Sequence, residues 1–172
     1  MHASPMILSV LTLTHLGFAS PALAAPTPSP APDADTQTSE HSGLVERVSA
    51  HSFDETVARL RAGIEKRPLK LFAEIDHAKG ASDAGLELAP STLFIFGNPK
   101  GGTPLMKREA RMGLALPLKM HVFEQGGKVI VSYTDMTVLA RRYGLDPEAQ
   151  PIPNIAAMLA GLAAEAASEA AE

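Results

Sequence analysis

Residues 118–133 read LKMHVFEQGGKVIVSY, Leu118 to Tyr133, and this stretch decides the fold class. Leu118, Met120 and Val122 alternate with Lys119, His121 and Phe123, the period of two of a strand with one buried face. Lys128 to Tyr133 is a second run of strand formers, and Gln125-Gly126-Gly127 between the two predicts a tight hairpin. A hairpin forces its strands antiparallel, so the sheet around it is expected to be mainly antiparallel.

Working outward, Leu93-Phe94-Ile95-Phe96 is apolar at every position, as in a central strand. Gly97-Asn98-Pro99-Lys100-Gly101-Gly102 predicts a turn. Thr103-Pro104 then suits the N-cap and first position of a helix reaching about Met112. Leu69, Leu71, Ala73 and Ile75 alternate with Lys70, Phe72, Glu74 and Asp76 in a half-buried strand, and Ala78 to Ala89 suits a short helix or a loop. Ser52-Phe53-Asp54-Glu55 has the capping-box pattern, and Phe53, Val57, Leu60 and Ile64 follow at helical spacing until Pro68. Leu44 to Ala50 is a weak first strand. Thr137 to Tyr143 is expected to be helical, and beyond Pro151 and Pro153 an Ala-rich helix carries an apolar stripe of Ile155, Met158, Leu159 and Leu162. The order β-α-β-β-α-β-β-α-α predicts an α+β fold, a mainly antiparallel sheet with helices packed on it.

The 172 residues are 45% hydrophobic and 20% charged, which suits a globular protein with a core of its own. There is no cysteine, which excludes disulfides, a thiolate nucleophile, cysteine-bound zinc or iron–sulfur clusters and CxxCH haem. The net charge of −4 argues against nucleic acid or an anionic membrane surface as partner. The hydrolase signatures GxSxG, SxxK and HExxH are missing.

Met6 to Ala19 is an apolar run shorter than the roughly 20 residues of a membrane span, and Ala22-Leu23-Ala24 supplies small residues for signal peptidase. The reading is a signal peptide over 1–24 cleaved after Ala24, export to the periplasm and no integral membrane span after cleavage. Residues 25–43 form a Pro-rich tether. The domain is assigned to 44–146 and a C-terminal helical extension to 147–172, whose stripe is expected to pack on its own domain.

Two groups of residues carry the candidate chemistry. Asp76 and His77 end a strand, and adjacent strand residues point to opposite faces, so they form a dyad only where the strand has ended. His77 is a candidate ligand or proton carrier. Phe96 to Met106 is a candidate anion site in which backbone N–H groups at a helix start, with Lys100, meet a phosphate or carboxylate. It lacks GxxxxGK[ST] and GxGxxG, and a tight turn explains the same glycines. His121, paired with His77 across the sheet or across a dimer, would start a metal site for zinc, copper or iron. Tyr133 reads as a half-buried anchor.

Phe53-Asp54-Glu55-Thr56-Val57, Phe72-Ala73-Glu74-Ile75-Asp76-His77, Leu93-Phe94-Ile95-Phe96-Gly97-Asn98-Pro99-Lys100, Gly102-Thr103-Pro104-Leu105-Met106, Leu116-Pro117-Leu118-Lys119 and Val131-Ser132-Tyr133 occur in that order. Together they resemble the domain-of-unknown-function-302 family, over about residues 44–146. The resemblance implies a compact TATA-binding-protein-like α+β fold, a homodimer and often a signal peptide, but no reaction or cofactor. Its motif positions here are Glu74, Asp76, His77, Phe96, Gly97, Asn98, Pro99, Gly102, Thr103 and Tyr133.

Three functions follow as alternatives. The first is a periplasmic ligand-binding or accessory module for a small anion, metal or cofactor, with Asp76, His77, Phe96, Gly97, Asn98, Lys100, Gly102, Thr103 and Tyr133 at a common pocket. The second is an enzyme with His77 as general base and Asn98 or backbone N–H groups stabilising an anion. The third is a structural homodimeric module without a ligand.

Overall fold

The computed structural model describes residues 43–168, so the predicted signal peptide, the tether up to residue 42 and residues 169–172 lie outside the described residues. The elements are β1 (Leu44–Val48), α1 (Phe53–Glu65), β2 (Lys70–Asp76), α2 (His77–Asp83), β3 (Ser91–Gly97) and α3 (Pro99–Arg108). A 3-10 turn (Ala110–Leu114) leads to β4 (Leu118–Gln125), β5 (Lys128–Thr134), α4 (Met136–Arg142) and α5 (Ile152–Ala167). The strands form one antiparallel sheet in the order β1-β5-β4-β3-β2, and the fold is α+β as the hairpin implied.

Gln125 pairs with Lys128, so only Gly126 and Gly127 form the β4–β5 loop, with φ of 58° and 74°. Both values lie in the left-handed region, which suits a type I′ turn and needs residues without a Cβ penalty. On one face of the sheet, Phe94 stands opposite Met120 and Phe96 opposite Leu118, all four buried. Val131 and Tyr133 continue that face from β5, and Leu60, Ile64, Leu159 and Leu162 meet it from α1 and α5. Ser52 Oγ accepts the Glu55 amide at 3.3 Å, which caps α1 as the motif predicted.

Two local readings are corrected, and one alternative, helix or loop after β2, is resolved. Leu71 stands opposite Phe96 but Ala73 opposite Ile95, so Phe72 is the extra residue of a β-bulge. The bulge flips the alternation, and Ala73 and Ile75 share the sheet face away from the core rather than continuing the face of Leu71. Residues 77–83 form a helix because Asp76 caps it. The glycine-rich turn is helix instead: Asn98 is the N-cap, Pro99 the first helical residue, and Thr103-Pro104 lies inside α3.

Helix α5, read from the sequence as an extension, belongs to the core, with Leu159, Leu162, Ala163, Ala166 and Ala167 buried. A Cβ on Gly63 of α1 would stand 3.0 Å from Leu162 Cδ2, a measure of how closely the two helices approach. Arg67 holds Glu165 by an ion pair at the same contact. The other sheet face is open: Leu93, Ile95, His121, Phe123 and Ile130 are half-buried, and Leu44, Val48 and Ile75 are exposed. Among the described residues no helix is long and apolar enough to cross a membrane.

Candidate functional site

The two candidate groups lie at opposite ends of the β2–β3 ladder. Lys70 pairs with Gly97, whereas Asp76 pairs with Thr92. Five residues separate Thr92 from Gly97, about 17 Å at strand rise, so within one chain the groups do not share a pocket. Asp76 Oδ1 accepts the Lys79 amide at 2.8 Å and serves as the N-cap of α2. It therefore does not orient the His77 ring as the acid of a dyad.

The start of α3 has spent its donors. Asn98 Oδ1 accepts the Lys100 amide at 2.8 Å, and the Gly101 and Gly102 amides donate to the Asn98 carbonyl at 2.9 and 3.0 Å. Pro99 has no N–H to give. The other half of the Asn98 amide, Nδ2, donates to the Pro68 carbonyl at 2.8 Å and ties the α3 start to the segment before β2. The backbone donors of the expected anion cradle are thus engaged, and Asn98 has its side-chain oxygen and one of its two side-chain N–H bonds committed to the fold.

What stands beside this junction is an apolar cavity of about 310 Å³. Leu69 and Phe72 line it from the β2 side, and Gly97, Asn98 and Pro99 from the strand–helix junction. Gly101, Gly102, Thr103 and Met106 present one flank of α3, while Leu116 and Pro117 close the β4 side and Ile155 and Met158 come from α5. The bulge puts Phe72 here, 47% exposed, with Lys70 Nζ 5.3 Å from its ring centre. The glycines have a reason beyond turn geometry. A Cβ on Gly97 would meet Pro117 and Phe72 at 3.8 and 3.9 Å, and one on Gly101 would meet Ile155 at 3.8 Å, so side chains at either position would occupy the cavity. The volume is at the low end of ligand cavities, roughly 300–1,000 Å³, and suits a small apolar molecule or the apolar part of a larger one.

At the other end of the ladder His77 and His121 come together. Their ring centres are 5.9 Å apart and meet edge to face. The His121 ring stacks on Phe123 with centres 4.8 Å apart, and its Nε2 is 2.8 Å from Ser91 Oγ. Burial holds the His121 imidazole below the ordinary histidine value, and His77 adds to the effect.

Of the nine candidate ligand residues, Gly97, Asn98, Gly102 and Thr103 line the cavity. Phe96 and Tyr133 are core residues, and burial, with the Asp135 carboxylate adding, pushes the Tyr133 phenol up. Lys100 is exposed and outside the lining. Phe72, Met106, Leu116, Ile155 and Met158 escaped the sequence reading because it sought polar chemistry. An outward-facing phenylalanine in a strand of charged residues was the available signal.

Comparison with known proteins places these features. The model of the family described as domain of unknown function DUF302 matches residues 45–166, a span that takes in most of α5. The chain is 43% identical over 105 residues to Fluoride-specific ion channel FluC 1 of Brucella suis biovar 1 (strain 1330), covering 60% of this chain and 41% of that protein. It is equally identical, over the same length, to Fluoride-specific ion channel FluC 2 of Brucella melitensis biotype 1, covering 39% of that protein. The chain thus spans about two fifths of the length of the curated relatives it matches. The crystal structure of an uncharacterized conserved DUF302 protein from Bacillus stearothermophilus superposes with a TM-score of 0.65 at 18% identity. That likeness covers 73% of this chain and 98% of the other, and is one of fold.

Proposed function

From a chain that belongs to the DUF302 family, a domain of unknown function, we propose an exported, homodimeric module that binds the apolar part of a small molecule in the cavity beside Gly97-Asn98-Pro99. The observation that carries this reading is the lining itself, apolar side chains around glycines, with the neighbouring helix-start donors already engaged. Such a cavity repays an apolar ligand and offers an anion little. The open sheet face supports the homodimer. Val48, 55% exposed, stands opposite Ile130, and Ile75 opposite Leu93, so a second copy would remove a row of apolar side chains from water. The apolar run before Ala22-Leu23-Ala24 supports export.

Native mass spectrometry of the protein purified after export tests the three parts together. The expected species is a dimer of chains lacking residues 1–24, with an apolar molecule released on denaturation. An uncleaved monomer with nothing bound contradicts the proposal.

A second reading is favoured by the relatives named as fluoride-specific ion channels, in which this chain's match fills about two fifths of the length. In it the domain is an accessory partner of a fluoride channel. The engaged donors of α3 support, within this reading, a partner of the channel over a holder of the ion. Co-purification with a fluoride channel from the same cell, and altered fluoride tolerance on deletion, would be its signs; neither appears if the apolar ligand alone is the function.

A further inference from the structure

The geometry points to a second site, separate from the apolar cavity: we propose that His77 and His121 bind a divalent transition metal ion on the open face of the sheet. The two imidazoles come from different elements, His77 from the first position of α2 and His121 from the middle of β4. They meet because Asp76 ends β2 and turns the chain into α2 beside the β3–β4 ladder. A zinc ion bonded to two imidazoles lies about 2.0–2.1 Å from each nitrogen, which sets the ring centres roughly 5–6 Å apart. The observed separation is 5.9 Å.

His121 is already held as a ligand should be. Nε2 faces Ser91 Oγ at 2.8 Å, and the ring is stacked on Phe123. In the tautomer whose Nε2–H donates to the hydroxyl, Nδ1 carries the lone pair for the ion, the arrangement by which outer-shell partners fix a histidine ligand. His77 is exposed, and among the described residues no hydrogen bond restrains its ring. The rings meet at 89°, so His77 turns about its side-chain bonds to bring a nitrogen to the ion. Among the described residues of one protomer no third His, Asp or Glu joins the pair, so the remaining positions fall to water and to the facing copy of the dimer proposed on this face. Two neutral imidazoles select zinc, copper(II) or nickel over magnesium or calcium, which prefer oxygen.

Calorimetric titration of the full chain with zinc chloride at neutral pH tests the site, with magnesium chloride as comparison. The expected result is saturable zinc binding, no magnesium binding, and at least tenfold weaker zinc binding in both His77→Ala and His121→Ala. Ser91→Ala is expected to weaken it by about tenfold or more while leaving both histidines in place. His51→Ala, whose ring meets the Ser168 carbonyl instead, should leave it unchanged. Because His77 is exposed, its variant stays folded, and thermal melting verifies this. Unchanged zinc binding in His77→Ala, or none in the wild type, overturns the proposal. Either outcome leaves the apolar cavity untouched, since that site is at the far end of the ladder.

Discussion

The ring of Phe72 lies against Gly97: its Cε2 stands 3.9 Å from the position a Cβ on the glycine would take. Phe72 is there because it is the extra residue of the β2 bulge, and the glycine leaves the room that a side chain would fill. A backbone irregularity in one strand and the missing side chain at the end of its neighbour together open one wall of the apolar cavity. The opposite wall comes from Ile155 and Met158, more than fifty residues later in the chain.

Asn98→Ala is expected to destabilise the domain by about 0.5–2 kcal/mol, the usual cost of losing an N-cap. The side chain also bonds the Pro68 carbonyl, so the effect should sit at the upper end of that range. Urea unfolding followed by circular dichroism measures it. A variant as stable as wild type would mean that the Asn98 contacts contribute nothing.

Leu162→Ala should cost about 2–5 kcal/mol, since Leu162 is fully buried between α5 and α1. The same unfolding experiment reads it. A loss below 1 kcal/mol would return α5 to the status of a peripheral extension.

The depressed His121 value gives a signed pH dependence. In the unfolded chain the ring returns to its ordinary value of 6.5, while the folded value is lower. Between the two the unfolded state binds the additional proton, so stability is full above pH 6.5 and falls as pH drops through the folded value. Urea midpoints measured with a chelator present should fall over this window for wild type and less steeply for His121→Gln. Parallel slopes in the two proteins would show that the depression is absent.

Val48→Glu places a carboxylate on the open sheet face opposite Ile130. Light scattering after gel filtration is expected to show a dimer for wild type and a monomer for the variant, with unchanged circular dichroism. A wild-type monomer, or a variant that remains dimeric, counts against that face as the interface.

Much of the fold is legible from local signals. Gly126-Gly127 determines the hairpin, Ser52 caps α1, and the apolar run ending at Phe96 marks a central strand. Three features are not. The bulge at Phe72 leaves the alternation of Leu69 to Ile75 intact in the sequence while reversing which residues face the core. The α3 start hides because Gly101 and Gly102 advertise a turn, whereas Asn98 and Pro99 supply a cap and first turn strong enough to make them helical. The cavity is invisible locally because its walls come from four separate segments, and only packing brings them together. The histidine pair lies between these cases: both residues stand out by type, but parity sets His77 on the face of Leu69 and Leu71, and only the Phe72 bulge and the α2 cap bring the rings to 5.9 Å.

Gly101→Leu tests the central claim most directly. Gly101 lies in α3 with ordinary helical backbone, so leucine favours the helix by about 1 kcal/mol while its side chain enters the cavity toward Ile155. Calorimetric titration with 1-octanol is the measurement, made on wild type and on this variant side by side. Saturable binding to wild type with heat lost in the folded variant is the predicted result. No binding to wild type, or equal binding to both, would contradict the assignment of the cavity as a ligand site.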